Sequence, residues 1–325
     1  MKVLIWHVHG SWTDAFVRGG WECVLPTLPE RGPWGLGRGG RDWPAGAREV
    51  HPQRLAGEDI DAVVLQRPEE VDAVRDLLGR TPGRDIPAVY VEHNTPRGNV
   101  PDTVHPMADQ SAVPIVHVTH FNQVIWDSGR APTVVIEHGV RDPGYLYTGE
   151  LQRIAVVSNE PVRRRRVTGT DLLAGFAPIG PLDVFGMGGQ DLGRATGLGA
   201  DRLQVCGDLP REELHRRMGQ RRVYLHPVRW TSLGLSLLEA MMLGMPVVAL
   251  ATTEVPRAVP AEAGVASADL SVLHEATRRL LRSPEEARAR GRAARAYALA
   301  HYGLDTFVAR WRALLDRLVD PSGSS

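Results

Sequence analysis

A chain of 325 residues is long enough for two domains of ordinary size, each with its own core. Its 38 basic and 38 acidic residues cancel, so no overall field draws in nucleic acid, and no local basic patch with interleaved aromatics takes its place. Cys23 and Cys206 stand far apart without a CxxC pair, which excludes a thiolate zinc site and fits a reducing compartment.

The start, MKVLIWHVHG, has one lysine and then alternates apolar with polar residues, so it reads as a first strand over 3–8 and not as a signal peptide. No apolar run approaches the roughly twenty residues of a membrane helix. The expectation is a cytoplasmic protein, with peripheral contact at the inner face of the membrane left open. Arg18-Gly19-Gly20 is expected to open the segment after the first strand, and Pro26 and Pro29 curtail the helix that follows to a turn or two. Residues 28–46, rich in glycine, proline and tryptophan, are expected as an ordered loop. Within them Gly35-Leu36-Gly37-Arg38-Gly39-Gly40 satisfies a dinucleotide-binding pattern, but no strand precedes it directly and Asp42-Trp43-Pro44 blocks a helix after it.

Further strands are expected at 62–65, 88–91, 115–118 and 134–136, alternating with helices or loops as a parallel sheet requires. Each ends in a polar cluster: His9-Gly10-Ser11, Gln66-Arg67-Pro68, Glu92-His93-Asn94, Thr119 to Asn122, and Glu137-His138-Gly139. In open parallel sheets ligands collect at those carboxyl ends, so the clusters define one rim. Four histidines near it, His7, His9, His117 and His120, do not make a metal site, because a strand points His117 and His120 to opposite faces.

Pro143, Gly144 and Gly149 interrupt both patterns, which places a domain junction within 142–150. A second series of strands follows at 154–157, 182–185, 203–206, 223–225 and 247–250. Between the last two, the loop through Thr231, Ser232, Leu233 and Gly234 leads into a helix with Leu235, Leu238, Met242 and Leu243 at helical spacing. Gly244 can take the left-handed conformation that stops a helix, and Pro246 prevents resumption. With its amino end open to a cleft, that helix offers unpaired N–H groups and a partial positive charge suited to a diphosphate, while Glu239 could accept from a ribose. Helices are expected over 284–301 and, amphipathic, over 304–319, with 321–325 as a short polar tail.

The segment LHPVRWTSLGLSLLEAMMLGMPVVAL resembles the donor-site signature of family 4 retaining glycosyltransferases of the GT-B fold, group 1. The resemblance extends over almost the whole chain and has the look of a divergent actinobacterial-like member. It implies an α/β architecture of two facing Rossmann-like parallel-sheet domains, residues 1–145 on the acceptor side and 146–301 on the donor side, with 302–325 as a C-terminal helix crossing back to the first. It further implies that Glu239 grips the ribose, that Ser232, Leu233 and Gly234 face the donor phosphates, and that Gly207, Asp208 and Leu209 cradle the base. Gly19 and Gly20 would approach the phosphates from the first domain. His93, the catalytic candidate, would face donor sugar and acceptor beside Glu92, where it can stabilise charge on the departing diphosphate.

The chain departs from that pattern at two places where the family prefers charge: Thr231 stands at the sugar-contacting glutamate, and Thr168 at a phosphate-binding lysine. One arginine of the run Arg163 to Arg166 could replace the lysine, with Arg163, Arg165 and Arg166 as the candidates, since guanidinium forks bind phosphate oxygens bidentately and stay charged. The implied reaction moves a sugar from a nucleotide diphosphate to an acceptor hydroxyl with retention, and it requires neither cofactor nor metal. The acceptor is open: a glycan, a lipid-linked molecule or a small product. Two rival readings are a sugar-nucleotide epimerase on the same fold, with Glu92 and Glu137 as its only plausible carboxylates, and a catalytically silent nucleotide-sugar-binding protein.

Overall fold

The protein is described by a computed structural model covering residues 1–320; the 321–325 tail lies outside the described residues. The chain divides into two compact units, Met1–Gly139 together with the chain from Leu304, and Val140–Gly303. The division falls at Gly139 and Gly303, because Val140 pairs with Gly303 in a parallel bridge, donates to the Tyr302 carbonyl at 2.8 Å, and packs in the second unit's core. Among the described residues no helix is long and apolar enough to cross a membrane.

The first unit runs β1 (Lys2–Ile5), α1 (Gly10–Phe16), β2 (Glu22–Pro26), β3 (Ala47–Val50), β4 (Ala62–Leu65), α2 (Glu70–Leu78), β5 (Ala88–Glu92), β6 (Ile115–His117), α3 (His120–Ile125) and β7 (Thr133–Val135). All seven strands are parallel in the order β3-β2-β1-β4-β5-β6-β7. Continuous apolar runs suit a sheet covered on both sides, and alternate residues divide accordingly. Val3, Ile5, Cys23, Leu25, Val64, Val89 and Val91 face α1 and the chain's last helix, Leu304–Val319. Leu4, Val24, Val63, Leu65, Ala88 and Tyr90 fill the core on the opposite face, with Val74 of α2. The last helix is anchored by Trp311, wholly buried, whose ring meets Trp12 at 5.5 Å and Phe16 at 5.1 Å edge-on.

Two expectations for this unit are corrected. Residues 22–26 form a strand instead of a curtailed helix, because the Cys23-Val24-Leu25 run can bury both faces in the sheet and Pro26 closes it at the end. Gly19 and Gly20 therefore follow α1 and precede β2, where Glu22 N pairs with Met1 O at the amino-terminal edge of the sheet. They lie at the edge opposite the strand-end rim, and the Gly19 carbonyl accepts from Arg312 of the last helix. The loop over 28–46 is ordered by turns and a Thr27–Leu36 bridge, with Trp43 buried, and it ends in the short edge strand β3.

The second unit contains β8 (Leu151–Val157), α4 (Pro161–Arg164), α5 (Leu173–Phe176), β9 (Leu182–Phe185), α6 (Leu192–Thr196), β10 (Leu203–Gly207), α7 (Arg211–Gln220), β11 (Arg221–His226), α8 (Leu235–Leu243), β12 (Val247–Leu250), α9 (Val255–Ala258), β13 (Gly264–Ser267), α10 (Leu270–Arg282) and α11 (Pro284–Tyr302); the chain's last helix is α12. Its six parallel strands are ordered β10-β9-β8-β11-β12-β13. In α8 every residue from Leu237 to Leu243 except Glu239 is buried, and Gly244 closes the helix at φ +88°, a conformation that a side chain resists.

Candidate functional site

The carboxyl ends of the second unit's strands carry the loops in which a donor site was expected. After β11 the chain runs through Pro227 to Gly234 before α8 begins, and this loop is tied down from two sides. Arg229 N donates to Val167 O at 2.9 Å, and Thr252 Oγ1 donates to Val228 O at 2.8 Å. Gly234 caps α8 with extended backbone and no capping side chain, so the Leu235 and Ser236 amides keep their donor capacity, while Leu237 N donates to Gly234 O at 3.0 Å. Thr231 and Gly234 are half-buried, whereas Ser232 and Leu233 are buried and the Leu233 side chain belongs to the core, leaving its backbone for any ligand.

Beneath that turn lies a residue that the sequence reading passed over. His226, the last residue of β11 and 2% exposed, packs so closely under Gly234 that a Cβ there would sit 2.6 Å from its ring Cε1. Burial pushes its pKa down to about 4, so the ring is neutral, and among the described residues its Nε2 has no hydrogen-bond partner. The neighbouring Tyr224 hydroxyl donates to Ser236 Oγ at 3.0 Å in the first turn of α8.

Glu239 stands one turn further along, half-buried. Arg211 of α7 donates to its Oε1 at 3.1 Å, and His215 Nε2 approaches Oε2 at 3.7 Å, longer than a hydrogen bond. Gly207, Asp208 and Leu209 turn the chain from β10 towards α7; Gly207 adopts φ +77° and Asp208 is exposed.

The arginine run separates into distinct environments. Arg163 lies 3.5 Å from Glu160, and Arg166 lies 3.3 Å from Asp171, which Arg229 already grips with two bonds of 2.6 and 2.9 Å. Arg165 is exposed at φ +23°, and its side chain has no polar partner among the described residues. Thr168 is buried and bonds the Arg165 carbonyl at 3.2 Å and Thr170 Oγ1 at 3.0 Å, so it braces the turn. The adjacent Gly169 has no room for a side chain against the Pro227 carbonyl.

The rim of the first unit is built around histidines. Gln66 Nε2 donates to Trp6 O at 2.7 Å, which turns its carbonyl oxygen towards His93 Nε2 at 3.0 Å. A carbonyl only accepts, so His93 carries its proton on Nε2, and its Nδ1 is the acceptor nitrogen. Burial, then the neighbouring rings of His9 and His138, hold His93 well below the ordinary histidine pKa. Its ring lies 4.0 Å from that of His9 and edge-on to Trp12 at 5.0 Å.

Glu92, expected beside a donor sugar, is instead engaged within the unit. Met107 N donates to His105 Nδ1 at 3.0 Å, so His105 uses its Nε2–H on Glu92 Oε2, also at 3.0 Å. Asn94 N occupies Glu92 Oε1 at 2.6 Å. Glu137 accepts from Arg310 at 3.0 Å. Arg211, Arg229 and His226 are not legible as functional candidates because each takes its meaning from a partner remote in sequence, although His226, like Gln66 on the first unit's rim, stands at a strand end.

Residues 193–297 match the family model described as glycosyl transferases group 1, a span that includes α8 and its loop. The chain is similar to the sucrose-phosphate synthase of Thermosynechococcus elongatus, with a TM-score of 0.75 at 16% identity over 99% of this chain and 100% of that one. It is also similar to the Anabaena HepE protein in complex with UDP (TM-score 0.73, 15% identity, 97% and 100% covered) and to a Rickettsia africae glycosyltransferase (0.69, 12%, 99% and 98%). The fold is GT-B. Comparison with curated proteins gives no match. In this GT-B chain the matched segment lies within the second unit and includes His226 and Glu239, while the arginine run precedes it.

Proposed function

We propose that this glycosyltransferase is a retaining, family 4-like enzyme that moves a sugar from a nucleotide diphosphate to an acceptor hydroxyl, with the donor held by the second unit. The observation that carries the reading is the start of α8. The Leu235 and Ser236 amides have no intrahelical acceptors, a buried and neutral His226 packs beneath Gly234, and Glu239 is held on the same helix by Arg211. Donor amides at a helix start suit a diphosphate, and a half-buried carboxylate suits vicinal ribose hydroxyls. Arg165 is the guanidinium best placed to add charge neutralisation, since Arg163 and Arg166 already face carboxylates.

In the proposed step the bond from the anomeric carbon to the diphosphate oxygen breaks as the acceptor oxygen bonds that carbon from the same face. The acceptor proton passes to the departing phosphate oxygen, and no metal takes part. Solved complexes of HepE with UDP and with UDP-glucose make uridine donors the first to test. The epimerase alternative has little support, because Glu92 and Glu137 are both engaged by internal partners. A cytoplasmic location, with or without contact at the inner membrane face, belongs to the same reading.

The test is a thermal-shift screen of UDP, GDP, ADP and dTDP sugars, followed by NMR of the product's anomeric proton. One nucleotide class should raise the melting temperature, since a ligand that binds only the folded state stabilises it. Absence of any shift sinks the donor site; binding without turnover leaves a silent binding protein.

A further inference from the structure

We propose that the strand-end rim of the first unit recognises an anionic group, phosphate or carboxylate, on the acceptor molecule. The proposal rests on the glycosyltransferase reading and names the substrate class of its acceptor side. Three strand ends bring His9, His93 and His138 together. His138 is 5% exposed and, among the described residues, neither ring nitrogen has a hydrogen-bond partner. Arg67, directly after Gln66, uses Nε on Glu70 at 2.8 Å and Nη1 on Pro33 O at 3.0 Å, while its Nη2 is buried without a partner. Buried donors left unpaired are costly, and two of them on one rim point to a ligand that accepts.

Guanidinium donors favour an anion over a neutral polyol, since their forks match carboxylate and phosphate oxygens. The Arg41 guanidinium packs over Gly10 at the start of α1, and its side chain has no polar partner among the described residues. It also lines an open groove of about 420 Å³ with Arg31, Arg38, Asp42 and Glu49. Glu70 is paired with Arg67, Glu137 with Arg310 and Glu49 with Arg31, whereas Glu92 accepts the Nε2–H of a His105 whose Nδ1 is itself an acceptor, and Asp42 lines the groove without an ion-pair partner among the described residues. What remains are guanidinium donors without partners, on Arg41 and at Arg67 Nη2, Arg67 facing His9 among imidazoles that can each gain a proton. His9 faces Glu92, Arg67 and His93; His93 faces His9, His138 and Gln66; His138 faces His9. Burial and mutual proximity keep these rings neutral, so an anion entering among them takes up protons as it binds.

Calorimetric titration with inorganic phosphate, at pH 6 and 8 and in buffers of differing ionisation enthalpy, tests this on the intact chain. Phosphate is expected to bind with proton uptake and at least about threefold tighter at pH 6, and a sugar phosphate to bind more tightly than its parent sugar. Arg41→Gln, at an exposed position, should weaken phosphate binding several-fold, whereas Arg279→Gln, on the exposed face of α10, should leave it unchanged. No phosphate binding, equal binding of the neutral sugar, or loss in Arg279→Gln but not in Arg41→Gln overturns the proposal. A phosphate site that persists in a protein blind to every nucleotide would instead overturn the donor reading alone.

Discussion

His93 donates through Nε2 to the Gln66 carbonyl oxygen at 3.0 Å, while the Gln66 amide is held by the Trp6 carbonyl at 2.7 Å. This two-step brace, running from the end of β1 through the end of β4 to the end of β5, sets the tautomer of the imidazole at the centre of the first unit's rim.

Gln66 is therefore expected to act through His93. Gln66→Met removes the acceptor and leaves buried donors and acceptors unpaired, at a cost of about 1–3 kcal/mol in stability. Gln66→Glu keeps an acceptor, adds charge and should raise the His93 pKa towards neutrality. Nitrogen-15 NMR of the ring should report an Nε2-protonated neutral imidazole in the native protein and an imidazolium in Gln66→Glu near pH 6. An Nδ1-protonated ring in the native protein would remove the brace.

Acid should weaken the fold before it reaches the carboxylate range. Burial lowers His117, His138 and His226 from 6.5 to about 4. The unfolded chain then binds more protons than the folded one between those values, so stability is complete above pH 6.5 and declines as pH falls towards 4. At 1.36 kcal/mol per pKa unit each ring would account for about 2 kcal/mol at pH 5. Melting temperatures from pH 8 to 5 should be flat above 6.5 and fall below it, and His226→Phe should make the fall shallower. A flat profile to pH 5 would show that these rings are not held neutral.

Much of this fold was legible because parallel strands buried on both faces read as unbroken apolar runs, as at Ala62–Leu65 and Val247–Leu250. The α8 boundaries were legible for a local reason too, with Gly244 and Pro246 bracketing its end. What misled was order and length. Residues 22–26 read as a curtailed helix because proline breaks helices, although Pro26 is equally at home closing a strand. That choice displaced Gly19 and Gly20 to the wrong edge of the sheet. The edge strand Ala47–Val50 escaped notice because Arg48 and Glu49 are polar. At the site, Glu239 could be located from its neighbours in sequence, but its partner Arg211 lies 28 residues away, and Glu92's engagement with His105 exists only in three dimensions.

Gly234 has a specific steric reason to be glycine. A methyl group there would lie 2.6 Å from His226 Cε1, so Gly234→Ala must displace the ring or the first turn of α8. Such overpacking costs about 1–3 kcal/mol, and nucleotide affinity should fall with the displaced amides. Adding His226→Ala opens the space and should restore part of the affinity. If the double variant binds no better than Gly234→Ala, the clash is not what the glycine avoids.

Glu239 and Thr231 divide the proposed donor between them. Glu239→Ala removes a carboxylate that Arg211 orients at 3.1 Å; a hydrogen bond to a charged group contributes about 1.5–3 kcal/mol, so nucleotide Kd should rise by roughly ten- to a hundredfold. The fold should survive, because the Arg211 side chain is 38% exposed and such a pair adds about 1 kcal/mol or less to stability. Thr231→Glu places a carboxylate on the half-buried loop before α8, where it can meet the sugar but not the base. It should therefore change the ratio of Kd between the nucleotide sugar and the bare nucleotide diphosphate, while the Kd of the diphosphate stays within about threefold. Calorimetry of both ligands against both variants separates the roles, and equal effects of the two substitutions on both ligands would refute the division.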